Sequence, residues 1–436
     1  MFNRLAARLL ITALVLLLSG CGTLQSLQYY GQAAKGQLSL MLKRQSIEKL
    51  INKDNTDSSS QPQFQQSSQQ VPSQPLSQRS SQQLSEQEQQ KLKLVMEIRA
   101  FAQQQLGLPV GKAYASYVDT GKNYVVWNVF AAEEFSVEAK QWCYPIIGCA
   151  GYRGYFKQSA AENYADKMAD KSYETHVSGV SAYSTLGWFN DPILNTFLNY
   201  SELDLAALLF HELAHRVVYI AGDTEFNESF ATAIEIYGVK QWLQYRNSTF
   251  SADRSFTTHP SDIRPSNTHQ DLDRFMQRLE AKSQFVKLVS DTRAQLELLY
   301  KNTAQTDIKL LRQKKAQHFQ ELKKQIFQFA DQYYPEISIK VSATNKNYKQ
   351  WASSLNNAKL IPVNSYYQWV ATVTAELDRH LDQQGCQSEI DLVSSDHCQQ
   401  ALKSFYQSVK KLKKLDADNR NKELLKWGST VKVEGI

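Results

Sequence analysis

Apolar positions along the 436-residue chain change period several times, and each change marks an element. Residues 22–53 carry Leu38, Leu42, Ile47, Leu50 and Ile51 as an imperfect helical stripe. From residue 54 to about 90 the apolar positions vanish into Gln and Ser with scattered Pro. Such a stretch cannot bury enough surface to order itself, so a disordered insert is expected over 54–90. Helical spacing returns at KLKLVMEIRAFAQQQLGL and stops at Gly107 and Pro109. Residues 113–131 alternate Tyr and Val around Thr120 and Gly121, which predicts a β-hairpin; residues 151–157 and 179–187 are two further strand candidates. Beyond about residue 200 the helical period dominates. Residues 271–301 and 306–334 share heptad-like Leu, Phe and Ile spacing, which predicts a long helical hairpin. The lysine-rich tail at 409–427 is expected to be a solvated helix face. The pattern predicts a predominantly helical α+β protein with a small β-sheet.

Composition adds two restrictions. With 42% hydrophobic and 11% aromatic residues the chain can bury a sizeable core, and a formal charge of +6 spread among local acids argues against nucleic acid as a partner. The N-terminus points to a compartment. Arg4 and Arg8 precede an apolar run from residue 9 to 18, too short for a comfortable span of roughly 20 residues, followed by small residues. This is the layout of a secretory signal over 1–20, and LSGC at 18–21 resembles a bacterial lipobox, which implies cleavage before Cys21 and acylation of that cysteine. Gly22 follows, not the aspartate that usually retains such lipoproteins in the inner membrane. The expected location is therefore the outer membrane, anchored in the bilayer by Cys21 and facing the periplasm. The expected organisation is a signal at 1–20, a lipidated helical segment at 21–53, the insert at 54–90 and a catalytic domain at 91–436. Removing the signal leaves Cys143, Cys149, Cys386 and Cys398, an even number in an exported chain; two disulfides are expected, with the short pairings 143–149 and 386–398 favoured over the other connectivities.

The chemistry concentrates at 210–231, FHELAHRVVYIAGDTEFNESFA. Ser201 to Asp204 reads as a capping-box-like start, and Leu205, Leu208, Leu209 and Leu213 form the apolar stripe of a helix. His211 and His215 are four apart and project from one face, so both imidazoles can reach one Zn²⁺. Glu212 beside them is placed to take a proton from the attacking water and pass it to the leaving amine. The five-residue motif is short, so its context has to carry it. Residues 221–223 break the helix, and Asp223 or Thr224 can cap a second one. Folding two antiparallel helices about Gly222 puts residue 228 opposite 216, next to His215. Glu228 is then the expected third ligand, with Glu235, opposite 209, in reserve.

HELAH followed by NESFA resembles the Glu-zincin pattern, in which a downstream Glu-x-x-Ala supplies the third ligand, although the gap of 12 residues is shorter than in many of those peptidases. A closer resemblance, on 29–47, 124–156, 179–196, the HELAH–FNESFAT block and 355–370, is to a bacterial family of predicted aminopeptidases, exported lipoproteins of Gram-negative bacteria. Glu133 stands where proline is expected in relatives, and the Gln/Ser insert is outside the family pattern. The resemblance implies a zincin-like metallopeptidase core with one Zn²⁺ per chain and a peptide substrate. Zinc peptidases also need a donor for the developing oxyanion; Tyr366 is the first choice and Tyr183 the second. Glu134 and Asp191 are candidates to hold a substrate amine, and Arg153 either binds a substrate carboxylate or stabilises its loop. The readings that compete with an aminopeptidase are a zinc endopeptidase and a non-catalytic envelope lipoprotein that binds peptide or peptidoglycan.

Overall fold

The computed structural model describes residues 24–57, 84–144, 148–182, 190–252, 268–302, 307–335, 339–363, 369–386 and 396–429. The chain starts with α1 (Leu24–Leu42), β1 (Gln45–Ser46) and α2 (Ile47–Asp57), then α3 (Glu86–Gln104). A capping box starts α3: the Glu88 N–H donates to Ser85 Oγ at 3.3 Å, and the Ser85 N–H donates to the Glu88 carboxylate at 2.8 Å. Helix α2 runs to Asp57 and α3 begins at Glu86, so both ends of the stretch expected to be disordered at 54–90 are helical.

The middle of the chain carries β2 (Ser116–Val118), β3 (Val126–Glu133), β4 (Trp142–Tyr144), β5 (Gly148–Ala150), β6 (Arg153–Tyr155), α4 (Gln158–Ala169), β7 (Tyr173–Val180) and β8 (Ile193–Leu194). These make three small sheets, ordered β1-β2-β8, β6-β3-β7 and β4-β5, where the sequence suggested one. The hairpin expected over 113–131 does not form. Strand β2 pairs with β1 and β8, while β3 takes β6 on one edge and β7 on the other. The turn between β2 and β3 is held elsewhere: Thr120 N–H and Oγ donate to Asn195 Oδ1 at 2.9 and 2.8 Å, and Asn195 Nδ2 donates to the Lys122 carbonyl. Strand β7 pairs eight residues with β3 and takes in Gly179 and Val180, the start of the strand expected at 179–187, of which 183–187 lie outside the described residues. The β4–β5 hairpin is stapled by Cys143–Cys149, whose residues face each other in register.

Among the described residues the elements that follow are helical: α5 (Asn195–Leu198), α6 (Glu202–Ala214), α7 (Thr224–Ala252), α8 (Thr268–Asn302), α9 (Ile308–Tyr333), α10 (Ile339–Trp351), α11 (Asn357–Leu360), α12 (Val370–Gln383), α13 (Asp396–Leu412) and α14 (Ala417–Ser429). Cys386–Cys398 ties the end of α12 to α13. The main core gathers α3, α6, α7, α12, α13 and α14 around Phe210, Phe226, Phe230, Trp242 and Phe405. Helices α8, α9 and α10 pack a second core around Phe285, Val289, Ile326 and Phe329. The lysine-rich tail departs from the expected solvated face. It breaks into α13 and α14, and Val409, Leu412, Leu424 and Trp427 are buried among the lysines. No helix among the described residues is long and apolar enough to cross a membrane.

Candidate metal centre

Helix α6 is capped by Ser201, whose Oγ accepts the Asp204 N–H, and ends at Ala214, so His211 sits in its last turn and His215 at its C-cap. The next helix does not follow at once. Residues 215–223 form a connection pinned by Asn227, a fully buried side chain that accepts the Ile220 N–H at 2.9 Å and donates to the Ile220 carbonyl at 2.8 Å. Gly222, at φ +81°, makes the final left-handed step that a Cβ would strain. Asp223 then caps α7 through the Phe226 N–H, and its other oxygen accepts from Arg420 Nε on α14 at 2.6 Å. Helices α6 and α7 approach closely at Gly238, where a Cβ would lie 2.6 Å from Phe210 Cδ2 and 2.9 Å from Leu106 Cδ1.

This framework brings His211, His215 and Glu228 together, with one ligand-capable atom of each within 4.8 Å of the others. The Glu228 carboxylate lies 3.1 Å from His211 Nε2 and 3.7 Å from His215 Nε2. Helix α6 stops eight residues before Gly222, and the Glu228 carboxylate reaches the side chains of both His211 and His215. Glu235, two turns further along α7, has a different place from the reserve ligand. Its carboxylate is 3.0 Å from His211 Nδ1, on the far side of the ring from Glu228. That bond selects the tautomer that leaves Nε2 for a ligand.

The electrostatics follow from this enclosure. Burial alone pushes His211 towards neutrality, but hydrogen bonds to Glu228 and Glu235 outweigh it and lift the imidazole to about 10. Burial, reinforced by the His211 charge, lowers His215 to about 4. Glu228 is held below the ordinary carboxylate value: desolvation opposes its charge, and the His211 hydrogen bond overcomes that. Without an ion, a protonated His211 shares two carboxylates. A divalent cation can replace that proton, and two imidazole nitrogens with one carboxylate are a donor set that zinc accepts. The residues present therefore fit a zinc ion. His215 Nδ1 is buried with no hydrogen-bond partner among the described residues. Glu212 lies on the same helix, partly buried, and its charge acts on His211.

The other expected residues divide. Tyr366, Tyr183 and Cys21 lie outside the described residues. The backbone N–H of Trp369, at the start of α12, donates to Ser229 Oγ, next to Glu228. Glu134 is not free to hold an amine; Arg312 Nε and Nη2 engage both its oxygens at 2.6 and 3.0 Å. Asp191 is buried, its carbonyl accepting the Tyr114 N–H. Arg153 stabilises its loop: its guanidinium lies over Tyr29 and Tyr164 at 3.9 and 4.6 Å. Two tyrosines went unnoticed in the sequence. Tyr219 and Tyr152 are raised above the usual phenol value by desolvation, with the Glu228 charge adding to it in both. Tyr219 was within the quoted stretch, but only the turn after α6 shows that its hydroxyl feels Glu228.

With that geometry in hand, the model of the family described as "Putative aminopeptidase" matches residues 69–424. The chain belongs to this family. The matched span includes all of the residues that converge on the centre and starts inside the Gln/Ser stretch, leaving 29–47 outside it. No curated protein and no solved structure matches the chain. Membership in the aminopeptidase family supports a peptidase-like function.

Proposed function

We propose that this family member is a zinc-dependent peptidase, an aminopeptidase acting at the cell envelope, with a zincin-like catalytic core. The observation that carries the reading is the convergence of His211, His215 and Glu228 beside Glu212 on one helical hairpin. His211 and His215 would hold zinc through Nε2 and Glu228 through its carboxylate, while Glu235 keeps the His211 ring in the tautomer this requires. Zinc, when bound, supplies Lewis acidity that polarises a carbonyl and lowers the pKa of water. The Glu212 carboxylate takes the proton of the attacking water and returns it to the leaving amine, work that contributes about 10²–10⁴ in rate. Tyr219 and Tyr152 keep their protons and so remain able to donate a hydrogen bond to an oxyanion. The buried framework around Asn227 and Asp223 fixes these groups before substrate arrives. The lipobox-like LSGC supports a lipid anchor at Cys21 and a periplasm-facing outer-membrane location.

The test is hydrolysis of a mixed peptide library by the purified soluble domain, with and without chelator. Loss of single N-terminal residues that chelation abolishes is the expected result. Internal cuts would make the protein an endopeptidase, and no chelator-sensitive cleavage would reject peptidase chemistry in favour of peptide binding.

A further inference from the structure

Beside the metal centre lies a cavity of about 450 Å³, lined by Pro109, His215, Arg216, Tyr219, Lys410 and Lys413 among others. Its volume is at the small end of the roughly 300–1,000 Å³ of ligand pockets, room for part of a short peptide and not for a folded partner. Two of its lining residues belong to the centre's surroundings: His215 is one of the converging side chains, and Tyr219 feels the Glu228 charge. Three others are cationic. Arg216 is braced by its Nε, which donates to the Pro109 carbonyl at 3.0 Å and leaves the rest of the guanidinium fork available. Lys410, on the last turn of α13, and Lys413, just past its end, are exposed, and neither has a carboxylate partner among the described residues. Buried Val409 and Leu412 anchor that turn in the core, so the two lysines are presented from a fixed backbone. No acidic side chain lines the cavity among the described residues. An unbalanced cationic wall concentrates anions, and a braced guanidinium suits the planar, two-oxygen shape of a carboxylate.

We infer that this cavity is a carboxylate subsite, which binds the free α-carboxylate of a short peptide while the bond to be cut lies at the centre next to it. The inference rests on the peptidase reading and gives it a substrate class: peptides short enough for their C-terminus to reach Arg216, Lys410 and Lys413. An acidic side chain presents the same chemistry, and the experiment separates the two sources.

Turnover of trialanine and its C-terminal amide is measured for the wild-type chain and for the Lys410→Glu/Lys413→Glu double variant. Amides carrying Glu or Gln at the third position are run alongside. The expected result is that amidation lowers wild-type kcat/KM about tenfold or more, chiefly through KM, and that the double variant loses this preference. Rescue by Glu but not by Gln in the amides would assign the subsite to an acidic side chain; no rescue assigns it to the α-carboxylate. Equal use of acid and amide by the wild type, or a preference that survives in the double variant, overturns the subsite. Calorimetric binding of the same peptides to Glu212→Gln protein reads the subsite without turnover. Tighter binding of the acid with no cleavage by the wild type would reject the peptidase and keep the subsite; cleavage without the preference would do the reverse.

Discussion

Two helical hairpins in this protein use the same architecture in opposite ways. In α8–α9, apolar Phe285, Val289, Ile326 and Phe329 face inward, and most charges lie outside in exposed pairs such as Lys287–Asp291 at 2.8 Å, although Lys315 is buried against Glu174. In α6–α7, polar groups are held inside: His211, His215, Glu228, Glu235 and Asn227 are largely withdrawn from solvent on helices that also bury Phe210, Phe226 and Phe230 in the main core. Burying imidazoles and carboxylates is unfavourable unless each finds a partner. The first hairpin has the arrangement that stability alone favours. The second spends burial on groups that stability would place in water, and perturbed titrations of this kind cluster at functional sites.

Replacing His211 or His215 by Ala removes one of the three proposed ligands, and should weaken zinc binding about a thousandfold, roughly a third of the ~10–16 kcal/mol of a structural-type zinc site. Competition with a chromophoric chelator measures it; a variant that still holds one tightly bound zinc per chain would show that the convergence of these side chains does not make the site. Glu235→Ala leaves the ligands in place but frees the His211 ring, and about 10–100-fold weaker zinc binding is expected from the same titration. Unchanged affinity would reduce Glu235 to an incidental contact. Gly238→Val tests the packing beneath the site, because its Cβ would run into Phe210 and Leu106. A loss of about 2 kcal/mol in urea unfolding is expected. Lys287→Ala on α8, by contrast, should change unfolding by no more than about 0.5 kcal/mol, because the pair is exposed on both sides. A larger loss there would erase the contrast between the two hairpins.

How legible each part was follows from how local its cause is. His211 and His215 could be read from sequence because ligand spacing on one helical face is a matter of four residues. The long hairpin was legible for the same reason; its apolar period survives through α8 and α9 with only slight shifts at the ends. Glu228 was found from a helical-hairpin argument that folded the helices about Gly222 and did not foresee the longer 215–223 connection. The length of the 215–223 connection depends on Asn227 folding back onto Ile220, and no local signal announces that. The role of Glu235 depends on which imidazole nitrogen it meets, a tertiary fact. The failed hairpin at 113–131 shows the limit for strands: Gly121 announces a turn, but the partners of β2 and β3 were set by β1, β8, β6 and β7, from distant parts of the chain. In the tail, lysines interspersed with the apolar residues hid them, although Val409 and Leu412, like Leu424 and Trp427, are spaced three apart on one helix face.

In the proposed mechanism the α6–α7 hairpin holds a zinc ion, and Glu212 acts separately as the base on the water. Turnover by Glu212→Gln protein carrying one zinc per chain tests it most directly, because Gln keeps the size of Glu and cannot take the proton. The account predicts full zinc content, an unchanged fold and a loss of about 10²–10⁴ in kcat on peptides that the wild type cleaves. Wild-type turnover by that zinc-loaded variant would contradict it.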